Sequence, residues 1–210
     1  MIFFKQLEIG PMANYVYLIG DPQTRQCAVV DPAWDAPAIL EAIQREGYRL
    51  GAALVTHNHY DHVNGIPDLL KAADIPVYVH RQDAPGVLAG GNLKAVEGGD
   101  CLRLGTLEIS FLHTPGHTAG SQCLRVGAGL VTGDTLFIDG CGRVDLPTSD
   151  PEAMAASLRR LAGLPPETVI WPGHNYAALP SAAMGAQLSS NPYLKAARRG
   201  LAEFLRLVGS

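Results

Sequence analysis

Charge is scarce in this sequence, and what there is carries no basic excess. Charged residues make up 17% of the 210 residues, and 16 Lys and Arg against 20 Asp and Glu give a net charge of −4. Nucleic-acid-binding domains usually carry a basic surface stripe. The composition therefore argues against a nucleic-acid partner.

Long apolar runs are missing as well. No stretch approaches the roughly 20 consecutive apolar residues that a membrane-spanning helix needs. The segment MIFFKQLEIG at the N-terminus starts apolar but is interrupted by Lys5 and Glu8, so it lacks the apolar core of a secretion signal. We therefore expect a cytoplasmic protein with no membrane partner.

Cysteine is sparse, and no two cysteines are spaced as Cys-x-x-Cys. The four are Cys27, Cys101, Cys123 and Cys141. A chain of this length with 47% hydrophobic residues does not need a disulfide framework, so we predict free thiols that are mostly buried. A serine nucleophile in a Gly-x-Ser-x-Gly turn is absent too, which disfavours serine-hydrolase chemistry.

What the sequence does contain is an alternation of strand-like and helical segments. The predicted strands are 3–9, 15–19, 27–30, 54–55, 77–79, 102–104, 107–112, 122–126, 130–132 and 168–171, and the predicted helices are 35–47, 66–73, 150–161 and 191–208. A strand-rich block opens each half, which indicates two sheets packed face to face with helices outside. No low-complexity linker interrupts the chain, so we expect a single domain over residues 1–210.

The segment THNHYDH (56–62) is the densest group of metal-binding side chains in the sequence. It places three histidines and one aspartate directly after the apolar run 52–55. Loops at strand ends hold side chains on a rigid base, and four further polar residues follow predicted strands in the same way: Asp31, His117, Asp134 and His174. Taken singly, each of these four is typical of a turn or a surface residue.

Histidine and carboxylate ligands together suit zinc, and also iron or manganese. The number of donors favours two metals joined by a carboxylate. Two metals about 3.5–4 Å apart activate a water and stabilise the charge that develops in hydrolysis. In such a site Asp61 either binds the second metal or orients the attacking water.

These blocks together resemble the metallo-β-lactamase superfamily, in the expected order and over nearly the whole chain. They are VVDPA with Asp31, the cluster His57-x-His59-x-Asp61-His62, TPGHTAGS with His117, TGD with Asp134 and PGH with His174. The resemblance implies an α/β fold of four layers, the αβ/βα sandwich, with the site at one edge of the two sheets.

The resemblance also implies a role for each residue. Seven side chains become ligands: three of the first metal (His57, His59 and His117), three of the second (Asp61, His62 and His174) and one, Asp134, that bridges the two. Asp31 and Thr56 would support the ligands without binding metal. His113 has no counterpart among the ligands.

Among the branches of the family, the acidic residue at Asp134 resembles glyoxalase II, lactonases and persulfide dioxygenases, because class B β-lactamases typically carry cysteine there. The block GCGRVD (140–145) and the later NPYL (191–194) resemble short glyoxalase II-like proteins and persulfide dioxygenases. GHNY, with Tyr176, resembles the glyoxalase II block whose tyrosine helps to bind glutathione. Arg143 lies just past the Asp134 block and is a candidate to bind a substrate carboxylate.

The first functional hypothesis is a thioesterase that acts on hydroxyacyl-glutathione through a metal-bound hydroxide and two Zn²⁺. The second is a persulfide dioxygenase with a single Fe²⁺ held by His57, His117 and Asp134, the two-histidine, one-carboxylate set of iron oxygenases. A lactonase or another metallo-hydrolase, and a binding module without activity, are further alternatives. The stretch 179–184 suggests either a dimer surface, and hence a homodimer, or a lid near the site.

Overall fold

The computed structural model describes residues 2–209, which form fourteen strands and seven α-helices. The strands are β1 (Phe3–Ile9), β2 (Asn14–Asp21), β3 (Gln26–Val30), β4 (Arg49–Leu54), β5 (Val77–His80), β6 (Leu93–Val96), β7 (Cys101–Leu104), β8 (Leu107–His113), β9 (Gln122–Val126), β10 (Gly129–Gly133), β11 (Leu136–Phe137), β12 (Gly140–Cys141), β13 (Val169–Pro172) and β14 (Ala182–Ala183). The helices are α1 (Ala36–Arg45), α2 (Tyr60–Val63), α3 (Ile66–Ala72), α4 (Pro151–Leu161), α5 (Met184–Ser190), α6 (Pro192–Arg199) and α7 (Leu201–Val208).

Two six-stranded sheets dominate the fold. The first has the order β1-β2-β3-β4-β5-β6 and the second the order β14-β13-β10-β9-β8-β7, while β11 and β12 form a separate hairpin. Four pairs are parallel, namely β3 with β4, β4 with β5, β5 with β6, and β10 with β13, and the remaining pairs within these two sheets are antiparallel. Each sheet thus directs several strands to the same edge.

The core lies in three layers of apolar contact, and strand β2 shows why. Successive strand side chains point to opposite faces: Tyr15, Tyr17 and Ile19 pack between the two sheets, whereas Val16 and Leu18 pack against helices. The outer layers are formed by α1 and α3 over the first sheet and by α4 to α7 over the second. The predicted four-layer αβ/βα sandwich is confirmed.

Helices α1 and α4 begin where the sequence predicts, each at an aspartate followed by a proline in the first turn. Asp35 accepts a hydrogen bond from the Ala38 backbone N–H (2.9 Å), and Asp150 accepts one from that of Ala153 (3.0 Å). Such N-caps typically contribute about 1 kcal/mol each. Helix α4 also holds the loop after β8, because the Ser157 hydroxyl donates to the Pro115 carbonyl (2.7 Å).

The single helix predicted over 191–208 is wrong, because the structure has two helices there, α6 and α7. The break falls at Gly200, whose φ of +145° and ψ of 166° lie in a region that only glycine adopts readily. Asn191 starts α6 by accepting hydrogen bonds from the backbone N–H groups of Tyr193 and Leu194. Each half can therefore turn its own apolar face to the second sheet.

The cysteines are free thiols, as predicted. Cys27 and Cys123 are buried, Cys141 is half-buried and Cys101 is exposed. Burial raises the pKa of the Cys27 thiol to about 12 and that of Cys123 to about 11, so both behave as small neutral side chains in the core.

Within the described residues, no helix is both long and apolar enough to cross a bilayer.

In the stretch 179–184, Ala182 and Ala183 form the edge strand β14 beside β13, and Leu179 is exposed.

The two sheets are joined directly at one edge. The Tyr15 N–H donates to the Gly173 carbonyl (2.8 Å), the Gln122 N–H donates to that of Thr56 (2.9 Å), and the buried Tyr17 hydroxyl donates to that of Pro172. The loops after β3, β4, β10 and β13 end at this edge, so it is the place where the predicted metal-binding side chains meet.

Asp21 ties two turns together at the opposite end of β2, and it yields a prediction. Its carboxylate accepts hydrogen bonds from Thr106 N–H (2.7 Å), Gln23 N–H (2.9 Å) and the Thr24 hydroxyl (3.0 Å). These donors, the Thr106 N–H first, lower the Asp21 pKa to about 2 from 3.8. A lowered folded-state pKa stabilises the fold above the unfolded pKa, and this stability disappears as the pH falls from near 4 to about 2.

We expect Asp21→Asn to be less stable than the wild type at pH 7, with a difference that is constant down to about pH 5. Below that the difference should shrink, because the wild-type carboxylate takes up a proton and loses its advantage. Urea unfolding at a series of pH values measures this. A difference that grows as the pH falls would contradict the assignment.

Candidate metal centre

Five loops at the joined edge of the sheets carry the predicted site. Asp31 follows β3, the segment 56–62 follows β4, His117 follows β8, Asp134 follows β10 and His174 follows β13. The predicted ligands on these loops are all buried or half-buried. The structure therefore gathers all the predicted ligands from sequence positions more than a hundred residues apart.

The metal-binding atoms form three close groups, of which one joins Asp31 to His57 and His62 and the other two share no residue. His57, His59 and His117 present atoms that lie within 4.8 Å of one another, and so do Asp61, His62 and His174. These are the same two triplets that the sequence analysis assigns to the first and second metal. In the second triplet, Oδ2 of Asp61 lies 3.5 Å from Nε2 of His62 and 3.4 Å from Nε2 of His174.

Asp134 lies between the two groups. Its Oδ2 is 3.5 Å from Nε2 of His117, in the first triplet, and 3.3 Å from Nε2 of His174, in the second. Its Oδ1 is 3.5 Å from Nε2 of His62. One carboxylate thus faces both triplets, which is the position that a bridging ligand occupies.

Hydrogen bonds at the outer ring nitrogens fix which way the histidines point. Nδ1 of His117 donates to the Arg143 carbonyl (2.9 Å), and Nδ1 of His174 donates to the Met12 carbonyl (2.9 Å). Carbonyl oxygens only accept, so each Nδ1 carries the proton and each Nε2 keeps its lone pair. Both lone pairs are directed into the site, as metal ligation requires.

Asp31 and Thr56 set the orientation of two more rings. The Asp31 carboxylate accepts hydrogen bonds from the Thr56 N–H (2.7 Å), the Thr56 hydroxyl (2.6 Å) and Nδ1 of His62 (3.1 Å). Because the Thr56 hydroxyl gives its proton to Asp31, its oxygen accepts from Nδ1 of His57 (3.0 Å). His57 and His62 are thereby left with free Nε2 atoms that face inwards.

The orphaned atoms of the site fit a metal. Among the described residues, the buried polar atoms without a hydrogen-bond partner include Nε2 of His57, Nε2 of His117 and Oδ1 of Asp134. In addition, Nε2 of His62 lies 3.1 Å from Nε2 of His174, a contact of two nitrogens that one shared proton joins in the absence of a metal. Unpaired buried acceptors are costly, and a bound cation would satisfy all of them together.

The electrostatics of the site point the same way. Burial by itself lowers the pKa of His62, but Asp134, Asp31 and Asp61 outweigh it and raise that pKa to about 9. For Asp134, burial opposes ionisation, yet His62 and His174 hold its pKa well below the usual range. The carboxylates therefore attract positive charge strongly, and a metal ion competes with the proton for it.

Two glycines allow the backbone to approach the ligands closely. A Cβ on Gly173, just before His174, would collide with Oδ1 of Asp134, and one on Gly142 would collide with the Asp134 carbonyl. Glycine in the PGH and GCG blocks is thus required by the space around Asp134 rather than by a turn.

Asn14 and Asp83 contact the ligand loops but escape prediction from the sequence. The Asn14 amide donates to Oδ2 of Asp61 (2.9 Å) and accepts from the Trp34 indole N–H (2.8 Å). Asn14 begins a strand and Asp83 follows one, and neither lies in a metal-binding pattern. The sequence offered one signal for Asp83, which is that it is a polar residue shortly after the predicted strand that became β5.

Asp83 joins the two loops that carry the first histidine triplet. Its carboxylate accepts hydrogen bonds from the Asn58 N–H (2.9 Å) in one loop, and from the Thr118 hydroxyl (2.6 Å) and the Gly120 N–H (2.7 Å) in the other. Asp83 is itself buried. The spacing between His59 and His117 therefore depends on this side chain.

We expect Asp83→Ala to lower the affinity of the first triplet for Zn²⁺ by about 10- to 100-fold, the usual cost of losing an outer partner of a metal site. Metal titration against a competing chelator measures it. Thr118→Val, which removes one of the three donors, should give a smaller loss. Wild-type affinity in Asp83→Ala would show that the loops keep their spacing without it.

The two candidate substrate-binding residues line a cavity of about 590 Å³ that opens over the ligands. Tyr176 stacks on the His174 ring, with centroids 4.6 Å apart and an interplanar angle of 9°. Arg143 reaches the same cavity, but its guanidinium donates two hydrogen bonds of 2.9 Å to Asp145.

His113 lies outside the site. Its ring stacks on His80, with centroids 3.9 Å apart, and its Nε2 donates to the Ala119 carbonyl (2.9 Å). Neither ligand triplet includes His113, in agreement with its lack of a counterpart among the ligands of the family.

Comparison with known proteins identifies the family. The sequence profile of the Metallo-beta-lactamase superfamily matches residues 9–174, a range that contains all seven predicted ligands. The chain belongs to the Metallo-beta-lactamase superfamily. The predicted resemblance is thereby confirmed, and the chain is placed among metallo-hydrolases.

Two curated members of the superfamily carry hydrolase names. The chain is 34% identical over 185 residues to the "Probable polyketide biosynthesis zinc-dependent hydrolase BaeB" of Bacillus velezensis, covering 87% of this chain and 82% of that protein. It is 42% identical over 164 residues to the hydroxyacylglutathione hydrolase of Alkalilimnicola ehrlichii, covering 78% of this chain and 62% of that enzyme. The chain thus spans less than two thirds of the latter protein. Both names support an enzyme.

A solved member of the superfamily shares the whole fold. The crystal structure of ETHE1 from Myxococcus xanthus superposes with a TM-score of 0.90 at 30% sequence identity, over 99% of this chain and 90% of that one. The metallo-β-lactamase sandwich therefore extends beyond the matched profile to the C-terminal helices.

Proposed function

We propose that the protein is a binuclear metal-dependent hydrolase of acyl thioesters, with hydroxyacyl-glutathione as the reference substrate. The observation that carries the proposal is the Asp134 carboxylate, which faces both ligand triplets at 3.3–3.5 Å. The hydrolase names of the relatives support it. A single domain, a small-molecule substrate and a cytoplasmic location belong to the same proposal.

The ligand assignment in this proposal follows the two triplets. His57, His59 and His117 would hold the first metal, Asp61, His62 and His174 would hold the second, and Asp134 would contribute to both. Imidazole and carboxylate donors fit Zn²⁺, and Fe or Mn as alternatives. When bound, two such ions would supply an activated water and would neutralise the charge that develops on the carbonyl oxygen.

The hydrolysis needs no nucleophile from the protein. The water oxygen bonds to the thioester carbonyl carbon, the C–S bond breaks, and the sulfur leaves as a thiolate that takes up a proton. The products are a carboxylate and a thiol. Asp61, held by the Asn14 amide, is assigned both as a ligand and as the group that orients the attacking water.

A persulfide dioxygenase with one iron is the second candidate, because one observation favours it. The unpartnered buried atoms at the site belong to His57, His117 and Asp134, which are two histidines and one carboxylate. This is the set that leaves open positions on iron in oxygenases. In that case Asp61, His62 and His174 serve as hydrogen-bonding partners around the site.

Metal counting combined with two assays separates the candidates. The purified chain is analysed for metal, reloaded with Zn²⁺ or with Fe²⁺, and assayed for hydrolysis of lactoyl-glutathione and for oxygen uptake on glutathione persulfide. We expect two metals per chain and thioester turnover without oxygen uptake. One iron per chain with oxygen consumed, and no thioester turnover, would replace the hydrolase by the dioxygenase.

A further inference from the structure

The cavity over the ligands has apolar walls. Apart from the proposed ligands, Cys141 and Arg143, its lining consists of Met12, Tyr60, Phe137, Leu146, Pro147 and Tyr176. Its volume of about 590 Å³ lies within the roughly 300–1,000 Å³ of sites that enclose small molecules. The surroundings of the reacting carbonyl are therefore mainly aromatic and aliphatic.

Exposed apolar side chains of the protein converge on this cavity. Six large hydrophobic residues of the described chain are clearly exposed, and three of them line it: Met12 at 47%, Tyr60 at 74% and Tyr176 at 61% exposed. Leu179, another of the six, does not line the cavity but lies three residues after Tyr176 in the sequence and is 61% exposed. Clustered exposed apolar groups mark a binding surface, whereas scattered ones do not.

Free positive charge is missing from the lining. Arg143 is the one Lys or Arg among the lining residues of the described chain, and its guanidinium forms a two-point ion pair with Asp145. Burial raises the pKa of the Cys141 thiol to about 12, so this residue is neutral at pH 7. The chain therefore offers no unpaired cation there to bind the carboxylates of a charged thiol.

The aromatic part of the wall is fixed in place. Tyr176 stacks on His174, and the Phe137 ring meets Tyr176 edge-on with centroids 5.5 Å apart at 74°. A wall that is already ordered loses little conformational freedom when a ligand binds. This aromatic wall lies beside the proposed ligand His174, so an acyl group bound against the wall is adjacent to the thioester bond that reacts.

We propose, building on the thioesterase function above, that the preferred substrates are thioesters with an apolar acyl group, and that binding of this group rather than a charged thiol sets specificity. The acyl chain lies against Phe137 and Tyr176. A hydroxyacyl group as small as lactoyl leaves most of this surface uncovered.

The test uses the Zn²⁺-loaded full chain and thioesters of one uncharged thiol, N-acetylcysteamine, with acyl groups from acetyl to octanoyl. We expect kcat/KM to rise roughly two- to fourfold for each added methylene, the factor expected for partial to full burial. The rise should come mainly from KM. Lactoyl-glutathione serves as the charged, polar comparison and should be hydrolysed less efficiently than the octanoyl thioester.

Two variants connect the series to the wall, and both change exposed side chains, so folding is preserved. Tyr176→Ala and Tyr60→Ala should flatten the dependence of kcat/KM on chain length, so that the gain from acetyl to octanoyl becomes smaller than in the wild type. Leu88→Ala removes an exposed leucine that does not line the cavity and should leave the series unchanged.

The outcomes distinguish the two proposals. A flat or falling series, or lactoyl-glutathione as the best substrate, would overturn the apolar specificity and leave the thioesterase intact. A chain that binds its metals but hydrolyses none of these thioesters would overturn both.

Discussion

Asp134→Ala is expected to abolish thioester turnover and to lower the metal content below two per chain. The carboxylate is the side chain that faces both ligand triplets, so its removal takes a donor from each proposed metal. Metal stabilisation of a transition state is worth several kcal/mol, which corresponds to a loss of roughly 10³-fold or more in kcat. The measurements are kcat under saturating substrate and metal content by elemental analysis.

A matched aspartate controls for the change of charge. Asp68 lies on α3, is exposed and pairs with Lys71, so Asp68→Ala removes a carboxylate without touching the site. This control should keep both metals and full activity. If Asp134→Ala retained two metals and wild-type turnover, the bridging assignment would be wrong.

A second variant, His174→Ala, separates the hydrolase from the dioxygenase. Both candidate functions use Asp134, so loss of activity alone does not separate them. The histidine triplets do, because His174 belongs to the second metal in the hydrolase and is a bystander in the dioxygenase. His174→Ala should therefore abolish hydrolysis, whereas an iron dioxygenase would keep its metal.

The layered fold could be predicted because the family resemblance implies it and because local signals in the sequence mark its strands and helices. Strand β2 alternates between two buried faces, and α1 and α4 begin at an aspartate followed by proline. The break between α6 and α7 could not be predicted, because Gly200 sits inside a continuous apolar pattern. Whether a glycine interrupts a helix depends on what each half packs against.

The ligands were predictable for a different reason. Their side chains follow buried strands, and strands of one sheet edge bring their following loops together. What the pattern could not supply is the set of partners that hold the ligands: Asn14 contacts Asp61 over 47 positions and Asp83 contacts Thr118 over 35. Such pairs are chemically ordinary, so only the folded chain identifies them.

Arg143 illustrates the limit for charged residues. Its position after the Asp134 block predicts that it binds a substrate carboxylate, and Arg143 does line the cavity. The partner that engages its guanidinium, Asp145, lies only two residues away. The pair is exposed, and exposed ion pairs contribute little, so a substrate carboxylate competes with Asp145 for the guanidinium and Arg143 stays a predicted substrate-binding residue.

Asp31→Asn is expected to weaken binding of the second metal while leaving the fold intact. Asp31 has a φ of +50°, a left-handed conformation that asparagine tolerates as well as aspartate does. In the wild type its Oδ2 accepts the proton on Nδ1 of His62 (3.1 Å). The asparagine NH₂ placed there donates instead, so the proton of His62 moves to Nε2 and this atom can no longer bind a metal.

The loss of affinity should be about 10- to 100-fold for the second site, the range seen when an outer partner of a metal ligand is changed. The first site should change less, because His59 and His117 do not contact Asp31. A Zn²⁺ titration that resolves two binding constants, together with a thermal melt, separates the metal effect from unfolding. Asp35→Asn is the matched control, since asparagine caps α1 as well as aspartate does. If Asp31→Asn bound both metals with wild-type constants, the orientation of His62 would not depend on Asp31, and the tautomer argument for the site would fail.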